Sequence, residues 1–139
     1  MKAMRKNGLR YLTQSERAAL DDLVARLRQD YADRVIRVVL FGSKVRGDFD
    51  AESDLDVFVL LNSDDWHLHD KIVSLSSPIS LKHNALISPK VIGPSLYQRM
   101  RKLRSFFLEN VRKEGVTLWT KRSTRRSVKT LPIAATNCG

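Results

Sequence analysis

The chain has 139 residues, a formal net charge of +10 and a single cysteine, Cys138. That length suits one domain with one core and leaves little room for a separate acceptor-binding domain. No apolar run approaches the roughly 20 residues needed to span a bilayer, and one cysteine excludes an internal disulfide or a thiolate cluster.

Along the chain, the segment 1–12 reads as a basic, flexible N-terminus without the apolar block of a signal peptide, so a cytoplasmic protein is expected. Thr13-Gln14-Ser15-Glu16 reads as a capping box. Leu20, Leu23, Val24 and Leu27 then recur at helical spacing, which predicts a helix over about 14–32. Val35 to Phe41 is apolar and β-branched, a buried strand. A long connection, Gly42 to Asp54, leads to a second strand over Asp54 to Leu61. The two strands are joined without a helix and should pair antiparallel.

Ser63-Asp64-Asp65 predicts the start of a helix that ends near Ser77, because Pro78 follows. Residues 85–92 predict a third strand, with Pro89 pointing to a sheet edge or an irregularity. Pro94 opens one further helix. Its predicted apolar stripe is Leu96, Met100, Leu103, Phe107 and Val111, closed at Gly115. Val116 to Trp119 predicts a last strand, and 120–139 reads as a basic, disordered tail. The domain is therefore expected over 13–119, an α/β fold with a small mixed sheet flanked by helices.

Chemistry concentrates between the first two strands. Asp54 and Asp56 alternate with Leu55 and Val57, so the two carboxylates share one face of the strand. Such a pair suits Mg²⁺, which takes one or two carboxylates and fills its shell with phosphate and water. Gly42-Ser43 forms a turn able to offer backbone N–H groups and a hydroxyl to phosphate. Together they imply chemistry on a nucleoside triphosphate. Charge follows the same division. Residues 43–70 hold eight acidic against two basic residues, a local balance of −6, so the rest of the chain carries +16. Arg46 is read either as a phosphate ligand or as a partner of Asp48 or Asp50. Gly47 is assigned to a positive-φ turn and Trp66 to the core. His67 and His69 point apart on a helix and do not form a metal pair.

Gly42-Ser43, ten residues, then Asp54-Leu55-Asp56 resembles the signature of the DNA polymerase β-type nucleotidyltransferases. Arg46-Gly47 and Ser53 resemble its minimal nucleotidyltransferase branch. The resemblance spans roughly 13–119, and it implies a polymerase-β-like fold that moves AMP from ATP to an acceptor. Asp54 and Asp56 would be the catalytic, Mg²⁺-holding pair, with Gly42, Ser43, Arg46 and Ser53 binding nucleotide. Active family members usually carry a third carboxylate on the next core strand; here that stretch is Ala85-Leu86-Ile87-Ser88, and Leu86 is taken as its slot.

The resemblance further implies an antitoxin that modifies or binds a HEPN-domain ribonuclease toxin, alone or within a homo- or hetero-oligomer. An alternative reading is a catalytically degenerate binding module that neutralises a partner by contact. A third is a small nucleic-acid binder using the basic surface, with steeply salt-dependent affinity.

Overall fold

In a computed structural model, residues 9–47 and 54–121 are described. The order of elements is α1 (Gln14–Tyr31), β1 (Val35–Phe41), a single turn α2 (Ser43–Arg46), β2 (Leu55–Leu61), α3 (Trp66–His83), β3 (Ile87–Ile92), α4 (Pro94–Lys102), α5 (Phe106–Glu114) and β4 (Val116–Thr120). The α1 capping box is present: Thr13 Oγ1 accepts from the Glu16 N–H at 3.1 Å, and Glu16 Oε1 accepts from the Thr13 N–H at 2.9 Å. Ala19, Leu20, Leu23 and Leu27 are its buried face.

The sheet order is β3-β2-β1-β4. β1 pairs antiparallel with β2 and β4, and β2 pairs parallel with β3 through α3. The expected antiparallel β1–β2 pair and the edge position of Pro89 both hold, since β3 lies at the sheet margin, where a missing N–H is tolerated.

Strand alternation splits the core in two. Val38, Leu40, Leu55, Val57, Val59 and Val91 face α1 and α3, where Leu23, Leu27, Ile72 and Ile79 meet them. Val39, Phe41, Phe58, Leu60 and Ile92 face the other way and are buried beneath Tyr97, Met100, Phe107, Leu108 and Val111. Asp56 lies on this second face, because it is two residues from Phe58 on the same strand.

Three expectations are corrected. The helix beginning at Trp66 does not stop before Pro78 but runs through it to His83, closed by Asn84 at φ 51°. Pro78 is exposed, and the buried series Leu68, Ile72, Ser76, Ile79 continues past it. Packing on α1 thus outweighs the roughly 3 kcal/mol that an interior proline costs. The single helix expected from Pro94 to Gly115 is two helices. Arg104 turns the chain at φ 53°, and Ser105 Oγ accepts from the Phe107 N–H at 3.1 Å to start α5 afresh. Leu96 and Leu103 leave the core as a result, at 40% and 74% exposure. Trp66 is not in the core either. It is 67% exposed and stacked on His67, ring centroids 3.9 Å apart.

Candidate functional site

β1 ends at Phe41, whose partner across the ladder is Asp56. The chain must leave the sheet at the next residue while staying against that carboxylate. Gly42 does so at φ 92°, ψ −162°, a region that residues with a Cβ rarely enter. A Cβ on Gly42 would collide with Asp56 Oδ2 and stand 3.3 Å from Asp56 Cβ and Cγ. The glycine is therefore required twice, by its torsion and by the side chain it faces.

The turn that follows is tight. The Gly42 carbonyl accepts from the Val45 and Arg46 N–H groups at 3.1 and 3.2 Å, and the Gly47 N–H donates to the Ser43 carbonyl at 2.8 Å. Gly47 closes the turn at φ 89°, as expected. A Cβ there would lie 2.5 Å from the Tyr11 ring.

Two ion pairs hold this turn from outside. Lys44 is buried, and its Nζ lies 2.7 Å from Glu16 Oε2, so the α1 capping residue also anchors the turn. Arg46 Nη1 lies 3.0 Å from Glu114 Oε1 at the end of α5. Neither reading of Arg46 anticipated that partner, which is 68 residues away. Asp48, Asp50 and Ser53 lie outside the described residues.

Asp54 precedes β2, and Asp56 is its second residue. On extended backbone two such positions lie about 6.6 Å apart and share a face, and the Asp54 charge is near enough to act on Asp56. Asp56 is partly buried. Burial pushes its carboxyl above the usual range, the Asp54 charge adds to the rise, and the Lys90 ammonium opposes it. A carboxylate in that position gains from a cation beside it.

The parallel register sets Ser88 opposite Asp56 and Lys90 opposite Phe58. The residue facing Asp56 is thus Ser88 and not Leu86, which is 59% exposed ahead of β3 and uses its carbonyl to accept from the Leu55 N–H at 2.8 Å. Lys90 Nζ donates to Ser88 Oγ at 2.7 Å and stands 3.6 Å from Asp56 Oδ1.

Lys44, Glu114, Ser88 and Lys90 were not singled out from sequence, and Glu16 only as part of the α1 capping box. Alternation along β3 was the one available signal, since it puts Ser88 and Lys90 on one face; the Arg46 and Lys44 pairings had none. His67 and His69 are both exposed, and no group of three or more His, Cys, Asp or Glu side chains able to hold a metal occurs among the described residues.

Farther along the same sheet face a cavity of about 320 Å³ opens over Val39 and Phe58, rimmed by Arg37, Tyr97, Arg101 and Arg104. It begins two residues from Asp56 on β2. Among the described residues no helix is long and apolar enough to cross a membrane.

A family model for the nucleotidyltransferase domain matches residues 20–128. The chain is 30% identical over 105 residues to a candidate protein adenylyltransferase of Methanocaldococcus jannaschii, covering 76% of this chain and 99% of that one. A second candidate protein adenylyltransferase of the same organism is 36% identical over 85 residues, 60% of this chain and 79% of its own. Among solved structures, a candidate nucleotidyltransferase from Sulfolobus solfataricus aligns with a TM-score of 0.47 and 15% identity, over 84% of this chain and 89% of that one. A toxin–antitoxin structure containing AMP-PNP aligns with a TM-score of 0.42 and 20% identity, over 79% and 90%. The family match over most of the chain and the first relative, aligned over nearly its whole length, settle the class: this chain belongs to the nucleotidyltransferase domain family and is an enzyme of that kind.

Proposed function

We propose that the chain transfers AMP from ATP to a hydroxyl of a protein acceptor, with Asp54 and Asp56 holding Mg²⁺ and the Gly42–Ser43 turn receiving the terminal phosphates. The observation that carries this reading is the seating of the Asp56 carboxylate against Gly42, where a Cβ would meet both an unfavourable torsion and a collision, with the Asp54 charge near enough to act on Asp56. The donor set fits the metal: two hard carboxylate oxygens on one face, one of them destabilised as a lone charge by burial. Mg²⁺ bound there would neutralise charge on the reacting phosphates.

The chain's own residues supply the placement. Ser43 offers its hydroxyl and N–H at the head of the turn, and Glu16 and Glu114 keep that turn fixed through Lys44 and Arg46. Arg46 remains 46% exposed, which leaves its guanidinium able to meet a phosphate. Ser53 is assigned beside the nucleotide by the resemblance alone. In the transfer, the acceptor hydroxyl oxygen bonds to the α-phosphorus and the bond to the β-phosphate oxygen breaks. Pyrophosphate leaves, and the hydroxyl proton passes to solvent. Positioning and charge stabilisation account for most of the acceleration in such chemistry.

The names of the relatives favour a protein acceptor. The resemblance to minimal nucleotidyltransferases favours a HEPN-type toxin as that acceptor, an antitoxin role and a cytoplasmic setting, with residues 13–119 as the working domain. A second reading, neutralisation by contact without chemistry, is favoured by Ser88 standing opposite Asp56 where a carboxylate would complete the site.

The test is label transfer from α-³²P-ATP and Mg²⁺ in lysate containing the neighbouring-gene product. A protein band with α-label, absent with γ-label, supports AMP transfer. A bound partner that takes no label overturns it in favour of contact alone.

A further inference from the structure

We infer that Lys90 occupies the position of a second metal ion, so that the site takes one divalent cation with its nucleotide and not two. This rests on the nucleotide-site reading above and deepens it. Two observations carry it. Lys90 Nζ stands 3.6 Å from Asp56 Oδ1, so a positive charge already sits beside that carboxylate. The same ammonium is held in place by Ser88 Oγ at 2.7 Å, on the residue directly opposite Asp56 in the parallel ladder.

The arrangement is built by strand alternation. Ser88 and Lys90 are two residues apart on β3, so both project to the Asp56 face, and Ile87 and Val91 are buried on the other. β3 contains no acidic residue. A second divalent ion at Asp56 would meet a fixed ammonium and a neutral hydroxyl, where it needs a carboxylate. Coulomb repulsion between that ion and Lys90 disfavours its entry. The ammonium already supplies one positive charge at Asp56 Oδ1. The first ion is unaffected, because Asp54 and the remaining Asp56 oxygen stay available to it. Lys90 is thus a positioning residue with a charge role, distinct from the metal ligands.

The test is Mn²⁺ stoichiometry, read by the free-Mn²⁺ electron paramagnetic resonance signal during titration with saturating AMP-PNP. The wild-type chain should bind one Mn²⁺. A Ser88→Asp/Lys90→Ala variant, which swaps the ammonium for a carboxylate, should bind two. Two ions on the wild-type chain would overturn the inference and leave the nucleotide site standing. No bound ion would instead overturn the nucleotide-site reading and this inference with it. A variant that folds by circular dichroism and still binds one ion would show that Lys90 is not what excludes the second.

Discussion

Gly42→Ala separates a torsional cost from a collision in one experiment. At φ 92° and ψ −162° the position belongs to a region used almost only by glycine, and a residue with a Cβ there costs of order 1–3 kcal/mol. The new Cβ also strikes Asp56 Oδ2, so the carboxylate must rotate or β2 must shift. Taking about 2 kcal/mol from the torsion, and roughly 3–5 °C per kcal/mol for a domain of this size, thermal melting should fall by about 6–10 °C. In an Asp56→Ala background most of the collision is gone, and the same substitution should cost measurably less. A thermodynamic cycle over the four chains reads that coupling. Urea unfolding followed by circular dichroism gives each free energy. A loss below about 0.5 kcal/mol in the wild-type background would refute the claim that this torsion excludes side chains. An equal loss in both backgrounds would refute the contact with Asp56.

Two further predictions concern what holds the site in place. Glu16→Ala removes the Glu16 half of the α1 capping box and the charge facing buried Lys44; breaking such a pair costs about 3 kcal/mol. Glu16→Gln keeps the cap, so a comparison of the two by urea unfolding isolates the ion pair, and a Gln variant as stable as wild type would show that the pair adds nothing. On the far side of α1, His83 Nε2 and Asp22 Oδ2 are 2.9 Å apart, and the ionised carboxylate can only accept, so the histidine donates. That bond, helped by the Lys82 charge, holds the Asp22 carboxyl below its usual range against the effect of burial. A carboxyl depressed in the folded state adds stability that is complete above its unfolded pKa of about 3.9 and is lost as pH falls through the folded value. His83→Ala should therefore cost about 1 kcal/mol at neutral pH, and the gap to wild type should close below pH ~4; a gap constant from neutral pH to pH 3 would contradict this.

What the sequence made legible follows from local rules. The α1 box and the alternation in β1 and β2 are encoded within a few residues. What it hid depends on contacts far along the chain. Pro78 is punctuation in a sequence, yet it sits on the exposed side of a helix whose other side is pinned to α1. The stripe from Leu96 to Val111 keeps its helical period across the break at Arg104, because α4 and α5 both reach the same sheet face. Periodicity cannot distinguish one helix from two in that case. The residue opposite Asp56 required the β2–β3 register, which set Ser88 there where the resemblance had pointed to Leu86. Lys90 became visible only through that register.

The most direct test of the nucleotide–metal site needs no acceptor: ATP affinity by isothermal titration calorimetry, with and without Mg²⁺, for the wild-type chain and an Asp54→Asn/Asp56→Asn variant. The account predicts that Mg²⁺ strengthens ATP binding to the wild-type chain by about tenfold or more, equivalent to roughly 1.4 kcal/mol, and leaves the variant unchanged. Equal Mg²⁺ dependence in the two chains would place the cation elsewhere and contradict the assignment of Asp54 and Asp56.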